Sequence, residues 1–172
     1  MTDFVVAECA IRQLQARYAD AVWRKDLDAF GDCFTEDAEW RIEGMVFRGR
    51  DAIVDNLRRV LPDCHRVLMT FRTPILEVGD GTASGRTYVT ELNAFIDGRP
   101  GSSIAIYYER FVDQGDRWRF AWRLFQLHYL GPAEITAANL FENPDFGPPP
   151  NMPPLDASAS DHTGIITGAH KK

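Results

Sequence analysis

The sequence predicts an α+β domain, a strongly curved antiparallel sheet with three helices gathered on its concave side. Three observations carry this. Apolar residues recur at helical spacing through the N-terminal third. From Arg66 onward, β-rich runs are separated by tight turns such as Gly79-Asp80-Gly81, Asp97–Gly101 and Asp113–Asp116. And 172 residues with 45% hydrophobic and 26% charged side chains suit one domain around one core.

Residues 4–24 read as a helix, because Ile11, Leu14, Tyr18 and Val22 share a face while Arg12, Gln13, Arg17 and Arg24 fall mostly opposite. Asp26 is placed to cap a second helix over 27–34, with Leu27, Phe30 and Phe34 inward. Thr35-Glu36-Asp37 breaks that pattern, and 38–42 reads as a strand. Glu43-Gly44 turns the chain into a short strand over 45–48. A third helix over 50–61 carries Ile53, Leu57, Val60 and Leu61 and stops at Pro62. Residues 66–78 read as one long strand, which Pro74 places at an edge or a bulge. Strands over 83–96, 102–112 and 117–129 complete a meander. Helices and concave face should enclose a cavity, a usual place for a small-molecule site. The domain is expected over 1–130. Residues 131–172 form a proline-rich extension, with a short helix near 133–141, expected to pack over the cavity mouth or on a neighbouring subunit.

The net charge of −6 and the scattered arginines exclude a basic stripe for nucleic acid. Three cysteines, Cys9, Cys33 and Cys64, without CxxC spacing argue against a disulfide framework or a structural zinc. No HxH, HExxH or paired acidic motif points to a metal, and no cofactor is expected. The glycines at 79, 81 and 85 lie between strands and do not make a nucleotide loop. The N-terminal residues lack a signal-peptide pattern and no apolar run is long enough for a bilayer, so a soluble, cytoplasmic protein without membrane contact is expected.

Tyr18, Asp26, Asp28-Ala29-Phe30, Phe34–Ala38 and Phe47–Ile53, in that order and spacing, resemble the SnoaL-like family of the nuclear-transport-factor-two-like, or cystatin-like, superfamily. Ala38–Gly44 is similar to the branch with hexachlorocyclohexane dehydrochlorinase and bile-acid dehydratase. The resemblance spans about Ile11 to Tyr129 and implies a cone-shaped fold. In that branch an Asp orients a His that removes a proton as a leaving group departs. The matching positions here hold Trp23 and Met69, so the dyad is missing. Tyr18 matches a substrate-holding tyrosine and Arg123 an arginine that assists the departing anion.

The catalytic candidates are therefore Tyr18 and Arg123, with His65 and Asp20 as displaced proton carriers. Asp20 lies three residues before Trp23. His65 lies four before Met69, on the same strand face but about 13 Å away. The ligand-binding candidates are Trp23, Met69, Trp40, Glu91, Asn93 and His128. Glu91 and Asn93 share strand parity with Val89 and so can face the cavity. If Arg123 faces inward, Trp118, Phe120, Trp122 and Leu124 face the convex side and would associate copies into a homodimer or homotrimer through the last strands. The expected function is elimination, isomerisation or cyclisation of an apolar cyclic molecule. The alternative is a non-catalytic ligand-binding protein or assembly subunit of the same fold.

Overall fold

A computed structural model describes residues 2–132, except the side chain of Pro100; the expectations for the proline-rich extension lie outside these residues. Helix α1 spans Phe4–Arg24 and is capped by Asp3, whose carboxylate accepts from Val6 N. Ala7, Ile11, Leu14, Gln15, Tyr18, Ala21 and Val22 form its buried face, and Lys25 ends it in the left-handed region at φ 57°. Asp26 caps α2, Leu27–Gly31, through the Ala29 N–H at 2.9 Å.

Helix α2 is shorter than its sequence pattern. Phe34 belongs instead to strand β1, Phe34–Ile42, which runs through Thr35–Asp37 without a break. Phe34, Ala38 and Trp40, an even number of positions apart, all stay buried, while the register with β7 shifts between Phe34 and Glu39, where Glu36 and Asp37 are exposed. Strand β2 is Met45–Arg48, α3 is Arg50–Val60, and Leu61–Asp63 make a single 3-10 turn. The strand expected over 66–78 is two strands, β3 (Cys64–Phe71) and β4 (Ile75–Val78), with Pro74 in the gap where no ladder N–H is needed. β5 (Thr82–Phe95), β6 (Pro100–Asp113) and β7 (Trp118–Gly131) are long.

The sheet order is β2-β1-β7-β6-β5-β3, with β4 also paired to β5. Its pairs are antiparallel except β1 with β7, which is parallel, so the sheet is mixed rather than a pure meander. Helix α1 lies against β3 and β7, while α3 lies against β1. Between helices and sheet, Tyr18 packs its ring on Phe30 and Phe120 at centroid distances of 5.2 and 5.7 Å, and Phe34 packs on Phe120 at 5.5 Å.

Strand β7 corrects one expectation. Phe111 pairs with Phe120, but Arg110 pairs with Trp122, so Ala121 is an extra residue in β7. The bulge switches the parity. Trp118 and Phe120 point into the core, at 4% and 0% exposure, and so does Arg123. Trp122, half-buried, flanks Arg41 and Arg110 and donates its indole N–H to Glu39 Oε1 at 3.1 Å. Other residues leave the sheet apolar on its outer side, notably Tyr88, Ile104 and Tyr108 of β5 and β6. Among the described residues no helix is long and apolar enough to cross a membrane.

Candidate active site

A cavity of about 450 Å³ lies between α1, the end of α3 and the concave side of the sheet. Its apolar wall combines Val22 of α1, Leu57 and Leu61, Met69 of β3, Trp40 of β1 and Phe125 of β7. Strand alternation brings the polar groups in. Along β5, Thr87, Val89, Glu91 and Asn93 point inward, and along β6 Ser103, Ala105, Tyr107 and Glu109 do so. The registers set Glu91 beside Met69 on one side and beside Ser103 on the other. A larger depression of about 540 Å³ near Arg50 and Arg119 is a charged surface groove whose arginines are already held by Phe34 O, Asp32 and Asp116.

Beneath the cavity is a buried ion pair. Arg123 donates from Nε to Glu109 Oε1 at 2.9 Å, and its Nη2 lies 2.8 Å from the same oxygen. Glu109 Oε2 accepts from Gln15 Nε2 at 3.1 Å and from Thr87 Oγ1 at 3.0 Å. The guanidinium is wedged among the rings of Tyr18, Tyr107 and Phe120, at 4.3, 3.8 and 4.0 Å from their centroids. Its Nη1 has no hydrogen-bond partner. Burial acts to lower the Arg123 pKa, but Glu109 and the two tyrosines outweigh it, so the net shift is upward and the cation persists.

Tyr18 and Tyr107 both line the cavity and both stack on that cation, so their rings form the layer between the two. Burial raises both phenol pKa values against the opposing pull of Arg123, so both are neutral hydroxyls at neutral pH. Glu91, half-buried, faces the cavity with Oε2 accepting from Ser103 Oγ at 3.2 Å. Burial lifts its pKa to about 7, against the Ser103 hydrogen bond and the Arg123 charge, with Glu43 adding a further rise.

Of the residues singled out by sequence, Tyr18, Trp40, Met69, Glu91 and Asn93 line this cavity. Arg123 does not reach it, being fully covered and engaged by Glu109. Trp23 is not among the lining residues; it is half-buried at the end of α1 with Arg66 stacked on it at 5.2 Å. Asp20 is exposed and paired with Arg24 at 2.9 Å. His65 sits at the start of β3 outside the lining, and His128 is exposed near the end of β7. Sequence reasoning missed Tyr107, Ser103 and the Gln15–Thr87–Glu109 network. Strand parity along β6 groups Ser103, Tyr107 and Glu109, and that signal was available.

The SnoaL-like domain family matches residues 5–123. No curated protein matches the chain. Among solved structures, a type 2 hexachlorocyclohexane dehydrochlorinase is 23% identical with a TM-score of 0.70, over 82% of this chain and 96% of that one. A scytalone-dehydratase-like protein of Novosphingobium aromaticivorans is 17% identical with a TM-score of 0.71, over 76% and 90%. A Mycobacterium tuberculosis protein of unknown function is 24% identical with a TM-score of 0.66, over 96% and 89%. At these identities the likeness is one of fold.

Proposed function

The chain belongs to the SnoaL-like family, and from that premise we propose an enzyme that carries out elimination, isomerisation or cyclisation on an apolar cyclic small molecule. The observation that carries this reading is the convergence of two neutral tyrosine hydroxyls and the half-buried Glu91 carboxyl on a cavity with an apolar wall, whose other charged groups, Glu43, Asp63 and Arg99, are exposed. The apolar wall orients a ring and excludes water. Tyr18 or Tyr107 donates to an oxygen or leaving group as negative charge builds there. The Arg123 cation behind the phenols strengthens that donation without touching the substrate. Such a reaction moves a proton within a shaped pocket. The dehydrochlorinase and dehydratase names of similar structures agree with this class of chemistry.

A second reading, a non-catalytic binding protein, is favoured by Trp23 and Met69, which carry no titratable group. Mass spectrometry of small molecules retained by the purified protein separates the two. The enzyme reading expects retained ring compounds in two forms, either isomers of one mass or a pair differing by the elements of water or a small acid. Fresh protein should interconvert them, and the cavity-filling Met69→Trp should retain neither. A single retained compound that fresh protein leaves unaltered would decide for binding.

A further inference from the structure

The proposed reaction needs a group that takes a proton, and the positions of the family's dyad do not supply one. The sheet supplies it one strand away. The β3–β5 register pairs Met69 directly with Glu91, so their Cβ atoms are roughly 5 Å apart and project into the same space. Three carboxylates line the cavity, but Glu43 and Asp63 are exposed at its mouth. Glu91 is set deeper, with one oxygen held by Ser103 and no donor to the other among the described residues. Its charge is felt at the hydroxyls of both Tyr18 and Tyr107, and it feels that of Arg123.

We propose that Glu91 is the proton acceptor of this cavity, acting on a neutral cyclic substrate whose C–H is acidified by an adjacent leaving group or carbonyl. The assignment rests on the reading of the cavity as a site for a small apolar ring. Ser103 fixes the carboxylate from β6. The tyrosine hydroxyls line the same cavity, Tyr18 from α1 and Tyr107 from β6, and would donate where charge accumulates as the C–H electron pair moves into the ring and the leaving group departs. The proton ends on Glu91.

The groups facing Glu91 are few and have opposing effects. Tyr18 comes from α1, Ser103 and Tyr107 from β6, and Arg123 from β7. Glu43 comes from the β1–β2 turn, Asp63 from the 3-10 turn, Cys64 from the start of β3, and Arg99 from the β5–β6 turn. Burial dominates and holds the carboxyl near half ionisation around neutrality. The basic form therefore grows as pH rises through about 7.

The probe is 5-nitrobenzisoxazole, a neutral flat ring pair that a base opens. The base removes the ring C–H proton, the C–H electron pair becomes the third bond of a nitrile, the N–O bond breaks and oxygen leaves as a coloured phenolate. The wild-type protein should exceed an equal concentration of acetate by roughly 100-fold or more. The rate should climb with pH to a plateau above about 7, and Glu91→Gln should lose at least about 100-fold of it. Carbon-13 NMR of glutamate carboxyls should show one group titrating near 7 that Glu91→Gln removes. A rate no better than acetate, a Glu91→Gln variant as fast as wild type, or no such carboxyl overturns the assignment. Displacement of bound 1-naphthol by the probe separates the two failures. A probe that binds both proteins alike while Glu91→Gln keeps the rate removes only the base, whereas a probe that enters neither removes the cavity reading as well.

Discussion

Replacing Arg123 with Met should destabilise the domain by about 3–5 kcal/mol. Both members of the Arg123–Glu109 pair have 0% side-chain exposure. Glu109 Oε1 receives the guanidinium at 2.9 and 2.8 Å, and Oε2 receives Gln15 and Thr87. Without the cation, the fully covered carboxylate has two neutral donors and no counter-charge, and must either stay charged at high cost or take up a proton. The wedge of three aromatic rings around the guanidinium also loses its cation, worth up to about 2 kcal/mol where desolvated. Removing both partners is different. Arg123→Met with Glu109→Leu leaves no orphan charge, so the double variant should lose much less stability than the sum of the two single losses. Urea unfolding at neutral pH reads these differences, and a domain with about 5–15 kcal/mol of stability leaves the single variants enough to measure. A loss below about 1 kcal/mol for Arg123→Met, or strict additivity in the double variant, would refute the account of the buried pair.

Glu91→Gln should also change how stability depends on pH. The folded carboxyl has a pKa above its unfolded value, so folding favours the protonated form; wild-type stability is full below the ordinary carboxylate range and declines as pH rises through about 7. The variant should match wild type in acid and exceed it by roughly 1–3 kcal/mol at pH 8, and equal curves at both ends would contradict the burial of that group. Asp26 behaves in the opposite sense, because the Ala29 N–H and Arg24 hold its pKa below normal. Asp26→Ala should cost about 1 kcal/mol at neutral pH, a difference that vanishes as pH falls through the folded-state value; a pH-independent difference would exclude the cap as its origin. A Cβ on Gly85 would stand 2.6 Å from Ile75 O, so Gly85→Ala should lower the unfolding free energy by roughly 1–3 kcal/mol, and no loss would mean that β4 moves freely. We also propose that the apolar outer face around Tyr88, Ile104 and Tyr108 joins two or three copies; light scattering that gives one chain mass would dismiss it.

Much of this architecture is written in short-range patterns. The amphipathic repeat of α1, the Asp26 cap and the glycine turns each depend on residues within one or two turns of chain, and each element forms close to where those signals lie. The site depends on relations across strands, and there the local signals run out. Inward parity along β5 already groups Glu91 with Asn93, but only the β3–β5 register reveals that Glu91 stands opposite Met69. Arg123 shows the same limit from the other side. The resemblance marks it as an anion-assisting group, yet its partner Glu109 lies on the neighbouring strand and holds it below the cavity through Nε and Nη2.

Ala121 shows how a single residue can decide which faces meet. Uninterrupted alternation along β7 would force a choice between Phe120 in the core and Arg123 in the core, because they are an odd three positions apart. The bulge at Ala121 removes that choice and puts both inside. Their union creates the aromatic box that holds the cation beneath Tyr18 and Tyr107. Nothing in alanine's own chemistry announces such a bulge. It is imposed by the packing on both sides of it, where Phe120 meets Tyr18 and Phe34 and Arg123 meets Glu109. The electrostatics behind the phenols and the core that carries them are thus one construction.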